Sequence, residues 1–249
     1  MWGIHLPPLK AAIIAEERGR SVNVAGSRVD FPASLFPAGM LWPANALLIF
    51  VLAAALRYLP FGRLRSNEFT HVYFAACVFL LLLWNTRVGV LPALNFHLLG
   101  VTAITLMFGW AYAVLAVLLV CVGTLINQGG GWEGLGLNVL VVGCVPILLT
   151  QLLLHFAQRR LPHNFFVYIY INGFLAAGLS TLAVGLVGAL LVLMADGRNG
   201  EWLSYQYYPF FPLIFFSEAF MNGMIMTALV ALRPGWVSSF DDNLYINNK

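Results

Sequence analysis

Six apolar stretches, at approximately 41–59, 70–91, 96–126, 138–157, 164–195 and 210–232, carry almost no charge and leave this chain one kind of environment. A helix rises about 1.5 Å per residue, so a run of about 20 apolar residues matches the ~30 Å hydrocarbon layer of a bilayer. The chain of 249 residues is 61% hydrophobic and 9% charged, whereas a soluble domain is roughly 25% charged. No water-soluble fold of this length has enough interior for that much apolar surface. The pattern predicts an all-α, polytopic membrane helix bundle.

The stretch 96–126 is too long for one ordinary span, and Phe108-Gly109-Trp110 is the natural place to divide it. Arginines settle the question, because Lys and Arg gather on the cytoplasmic side of membrane proteins. They cluster after the first stretch (Arg57, Arg63, Arg65), after the fourth (Arg159, Arg160) and after the last (Arg233). Only a divided 96–126 puts all three clusters on one side. The expectation is therefore seven transmembrane helices, with the N-terminus outside and the tail Pro234 to Lys249 inside. The connection 127–137, which has no Lys or Arg, then faces outward.

Three regions follow: an extension (1–34), a transmembrane bundle (35–233) and a cytoplasmic tail (234–249). Lys10, Glu16, Glu17, Arg18, Arg20, Arg28 and Asp30 crowd the extension. Its one apolar core, Ala11 to Ala15, is too short for a secretory signal. The net charge of +3 rests on arginines at helix ends, which suits anionic lipid headgroups and gives no reason to expect a nucleic-acid partner. Cys77, Cys121 and Cys144 lie in apolar runs without a CxxC pair and read as small packing residues. Ala177, Thr181, Gly185 and Ala189 recur every four residues; such spacing lets helices approach closely, either within one bundle or against a second subunit.

Ionisable groups at membrane depth are costly, and Arg87 and Glu218 are the clear cases. On this topology both lie toward the outer side and are expected within reach of each other. Asn95, His97, Asn127, Asn138 and Asn222 fall toward the same side. One reading makes these groups glue for the bundle; the other makes them a ligand site. His97 is the sharpest candidate, since a neutral imidazole suits Ni, Co, Cu or Zn. His71, His155 and His163 fall at headgroup level. The glycine-dense connection from Gly129 to Asn138 can fold back over a cavity, but it has neither the strand nor the GK[ST] of a phosphate loop. No catalytic constellation is present, so an enzyme is not expected.

Three patches together resemble a family, the substrate-capture permease of energy-coupling-factor cobalt/nickel transporters, the CbiM/NikM type. Leu35-Phe36-Pro37-Ala38-Gly39-Met40-Leu41 is similar to the family's M-H-I-P-D-G-F-L segment. Phe96-His97-Leu98-Leu99-Gly100, Gly109-Trp110 and Gly134-Leu135-Gly136-Leu137-Asn138 resemble G-H-L-x-G, G-P-W and G-L-x-x-x-G-x-N-x. Ser217-Glu218-Ala219-Phe220-Met221-Asn222-Gly223 resembles E-G-x-x-T-G.

The resemblance implies a capture protein of the bacterial inner membrane that holds a divalent metal near its outer face, beside a membrane scaffold subunit and cytoplasmic ATPases. It implies metal-binding roles for His97, with Glu218, Asn138 and Asn95 as further ligands or supporting groups. Ni, Co or Zn would be substrate, and no tightly bound cofactor is expected. The family's N-terminal amine and adjacent histidine have no counterpart here: Leu35 stands in the histidine's place, inside the chain, and Ala38 replaces an aspartate. Met40 sulfur is a possible substitute ligand. The competing expectation is a structural or accessory subunit of a larger membrane complex that kept the bundle and lost the metal site.

Overall fold

The computed structural model describes residues 30–85, 88–91, 94–96, 98–128, 131–196, 208–241 and 245. Seven helices follow one another: α1 (Ala38–Arg57), α2 (Asn67–Asn85), α3 (Val101–Phe108), α4 (Trp110–Gln128), α5 (Trp132–Arg160), α6 (Phe165–Ala195) and α7 (Phe211–Leu232). Between α2 and α3 lies a short antiparallel pair, β1 (Val88–Leu91) and β2 (Leu94–Phe96), with Gly89 opposite Asn95.

Among the described residues, six helical spans are long and apolar enough to cross a membrane, where seven were expected. The exception is α3. The division of 96–126 falls at Gly109, whose φ of 88° is a backbone state that glycine reaches without strain. The segment ahead of it, however, yields only eight helical residues. They measure about 12 Å, less than half the ~30 Å hydrocarbon layer. The first half of the divided run is expected to span the bilayer, but Gly100 starts the helix late, with φ 65°, and Gly109 stops it.

All eight residues of α3 are buried, so this helix is the axis around which the long ones pack. It returns the chain from one face of the bundle to the other. At its start, Trp84 Nε1, near the end of α2, donates to the Leu99 carbonyl (2.9 Å). At its end, Phe108 meets the ring of Phe69, near the start of α2 (centroids 5.6 Å apart).

Contacts sort the helix ends into two faces. On one, Tyr58 meets Trp110, the Tyr112 hydroxyl donates to Pro60 O, and Trp236 Nε1 donates to Glu68. His163 also meets Tyr245 there. This face carries Arg57, Arg63, Arg65, Arg159, Arg160 and Arg233, which agrees with the charge pattern of the sequence. On the other, Asn127 Nδ2 donates to Asn85 Oδ1, and Asn45 of α1 bonds to Glu133 and Gly136.

Large apolar side chains turn outward all around the bundle: Trp42, Phe50 and Leu232 are 69%, 71% and 76% exposed. That surface fits hydrocarbon rather than water. Inside, small residues set the spacing of α6 and α7. The Phe215 ring of α7 sits where a side chain on Gly178 would be, and the Phe174 ring of α6 fills the notch over Gly223. Ala177, Thr181 and Ala189 are buried within this chain, so the small-residue stripe serves intramolecular packing.

Two stretches widen to π-helix, Val139–Cys144 and Tyr168–Leu175. The first precedes Pro146, which has no N–H for the usual i−4 bond; Val145 N–H bonds instead to Leu140 O. The tail folds back onto the bundle, with Val237 and Phe240 buried.

Gly223→Ala is expected to lower the thermal midpoint of the detergent-solubilised protein by an overpacking cost of about 1–3 kcal/mol. The double variant with Phe174→Leu should recover part of the loss. A Gly223→Ala protein as stable as the wild type would show that the notch does not set the α6–α7 distance.

Candidate functional site

A buried helix start has N–H groups with no partner in its own helix. The start of α3 is completed by α7. Glu218 is 1% exposed, and its Oε2 accepts from Leu99 N–H (2.7 Å) while Oε1 accepts from Gly100 N–H (2.7 Å). One turn on, fully buried Asn222 donates Nδ2 to Glu218 Oε1 (2.6 Å), and its Oδ1 accepts from Ala103 N–H (3.0 Å). The Leu99 and Gly100 N–H groups and the Asn222 amide all donate to the Glu218 carboxylate. The positive end of the α3 dipole reinforces this. The spacing of four residues on α7 puts both polar side chains on one face.

The far end of α3 is completed by the tail. Ser238 N–H donates to Met107 O (2.9 Å), and both the N–H and the hydroxyl of Ser239 donate to Leu106 O (3.2 and 2.8 Å). Ser239 Oγ also bonds to the Tyr168 hydroxyl (2.6 Å). Midway, Thr102, Thr150 and Ser180 form a hydroxyl chain across α3, α5 and α6, with spacings of 3.1 and 3.5 Å. Of the two readings of the intramembrane polar groups, the glue is directly visible here.

A second polar assembly fastens the segment leading into α1. Asn138, 4% exposed, accepts from Phe31 N–H (3.1 Å) and donates to the carbonyls of Phe31 (2.9 Å) and Gly134 (2.8 Å). An asparagine side chain thus pairs with the backbone of residue 31 as a neighbouring strand would. Asn45 of α1 donates to Glu133 O (2.7 Å) and accepts from Gly136 N–H (3.0 Å). The described part of the glycine-dense connection is therefore held to α1 and to residue 31 by two amides. Phe31 and Phe36 are buried and in edge contact, with centroids 6.0 Å apart.

Of the expected site residues, Glu218 and Asn138 are buried and engaged by backbone groups, at separate places. Asn95 lies on β2. His97 and Arg87 lie outside the described residues. Leu35 and Met40 are half-buried against the edge of the apolar core. His71, His155 and His163 are exposed. Among the described residues, no three or more His, Cys, Asp or Glu side chains group as metal ligands would. The amide of Asn172, fully buried on the second π stretch, has no hydrogen-bond partner for its oxygen or its nitrogen among them.

Sequence reasoning missed Asn45 and Phe31. A lone amide inside the first apolar stretch was the available signal for Asn45. Nothing in residue type marked Phe31, whose part is played by its backbone.

The fold and its buried carboxylate define an integral membrane helix bundle organised around a short polar-capped central helix. Residues 31–236 match the family described as the cobalt uptake substrate-specific transmembrane region, CbiM, and the chain belongs to that family. This is a family of transporter components and not of enzymes. Comparison with curated proteins and with solved structures gave no match.

Glu218→Gln leaves one acceptor oxygen facing two peptide N–H groups. The expected loss is about 1–3 kcal/mol of stability, because buried donors lose their partner. Asn222→Ala should lose a similar amount, with the double variant short of the sum because the two side chains bond each other. Thermal midpoints of the four proteins form the test; strictly additive losses would show that the pair does not act as one unit.

Proposed function

We propose that this chain is the substrate-capture component of an energy-coupling-factor-type transporter for a divalent transition metal ion such as cobalt or nickel. The observation that carries the reading is the family match over residues 31–236 together with the position of the Glu218 carboxylate. That carboxylate grips Leu99 and Gly100, the residues that follow His97-Leu98 in the chain. A carboxylate that fixes the backbone two and three residues beyond the imidazole limits where the histidine-bearing segment can lie.

In this reading His97 binds the ion. Glu218 fixes the segment that carries His97, and Asn95 and Asn138 belong to the surrounding polar shell. The chain crosses the membrane seven times, six times by full-length spans and once by β2 and α3. The arginine-bearing face is cytoplasmic, in a bacterial inner membrane, and the start of α1 is outside. Energy comes from partner ATPases through a membrane scaffold, since no phosphate-binding loop occurs in this sequence.

A second reading is supported by particular observations. Leu35 packs against the edge of the core where the family has a ligating histidine, and Asn138 is engaged by Phe31. These favour an accessory membrane subunit that has kept the bundle without its metal site.

Metal content of the purified protein after equilibration with Co, Ni or Zn separates the two. The capture reading expects about one ion per chain in the wild type and a loss of tenfold or more in affinity for His97→Ala. Background binding in both proteins would leave the accessory reading standing.

A further inference from the structure

Helices α2 and α7 diverge over α3, and the gap between them is a groove of about 420 Å³, within the ~300–1,000 Å³ of ordinary ligand pockets. His71, Ala75 and Phe79 of α2 line one wall, Met221 and Ile225 of α7 the other, and Ala103 the floor. The walls present carbon almost throughout, so a cation finds no ligand there. From His71 to Leu80 the groove follows nine residues of α2, or about 14 Å. That is close to the depth of one leaflet's hydrocarbon, about half of ~30 Å.

At the arginine-bearing face the groove meets a second, polar cavity of about 310 Å³, lined by Arg63, Ser66, Glu68 and Ser238. Val72, Met107 and Trp236 border both. The Arg63 guanidinium lies 5.8 Å from the Phe69 ring centroid, and that of Arg233 lies 5.8 Å from the Trp236 ring centroid. The one carboxylate lining the polar cavity, Glu68, accepts the Trp236 indole N–H (2.8 Å). Within the lining Arg63 and Glu68 stand one to one, and Arg233 adds a second cation just beyond Trp236.

An apolar groove one leaflet deep, bordered on the arginine-bearing face by a polar cavity that Arg63 lines, has the form of an amphiphile. We propose that it is a specific site for an anionic phospholipid of the arginine-face leaflet. One acyl chain lies between α2 and α7, and the phosphate rests at Arg63. The bound chain supplies the packing that α2 and α7 do not give each other.

Native mass spectrometry of the delipidated full chain tests this with phosphatidylglycerol and phosphatidylcholine added separately. The wild type is expected to keep one phosphatidylglycerol, at least about fivefold more tightly than phosphatidylcholine, the worth of one arginine near an anionic headgroup. Arg63→Gln, a change on an exposed side chain, should bring phosphatidylglycerol down to the phosphatidylcholine level. Ala75→Phe, which fills the groove from its open side, should lose both lipids. Equal retention of the two lipids by the wild type, no retention of either, or an Ala75→Phe protein that holds phosphatidylglycerol as well as the wild type would each overturn the proposal.

Discussion

A helix too short to carry its ends out of the hydrocarbon must find partners for its terminal peptide groups inside the protein, because lipid offers none. That constraint governs this molecule. The α3 helix has eight residues, all buried, and α4, α5, α6 and α7 pack directly on it. Its N–H groups are met by Glu218 and Asn222 from α7 and its carbonyls by Ser238 and Ser239 from the tail. An ionisable side chain at membrane depth, which would otherwise be expensive, is accommodated here because two peptide N–H groups and an amide donate to its oxygens.

The same economy of donors shapes the opposite face. Asn138 and Asn45 act through backbone partners, so the first turns of α5, the start of α1 and the segment ahead of it form one polar seam above the core. Glu218 has two roles in consequence. It is a cap, and by capping residues 99 and 100 it fixes where the chain emerges beside position 97. A ligand that drew on the carboxylate would compete with the peptide groups for the same two oxygens, so occupancy of the region and the integrity of the α3 start are coupled.

Much of the architecture was legible from apolar run length and arginine placement. The division at Gly109, the common face of the three arginine clusters and the neighbourhood of Glu218 with Asn222 all follow from residue type and spacing. The length of α3 was not legible, because hydropathy cannot distinguish a spanning helix from an extended approach followed by a short buried one. Gly100 was visible, but its left-handed φ depends on the tertiary grip of Glu218. The roles of Phe31 and of the tail were hidden for a different reason: they act through main-chain atoms, which every residue has. The asparagine at 138 could be named as polar and buried, yet only the structure shows that its partner comes from residue 31.

The two closures of α3 have a temporal consequence. Synthesis proceeds from the N-terminus, so α3 is made well before the residues that complete it, Glu218, Asn222, Ser238 and Ser239. Until α7 and the tail emerge from the ribosome, the axis of the bundle has both ends open. Assembly of this protein is therefore a clasp fastened from the C-terminal side, and a nascent chain halted before residue 218 lacks the hook that fastens it.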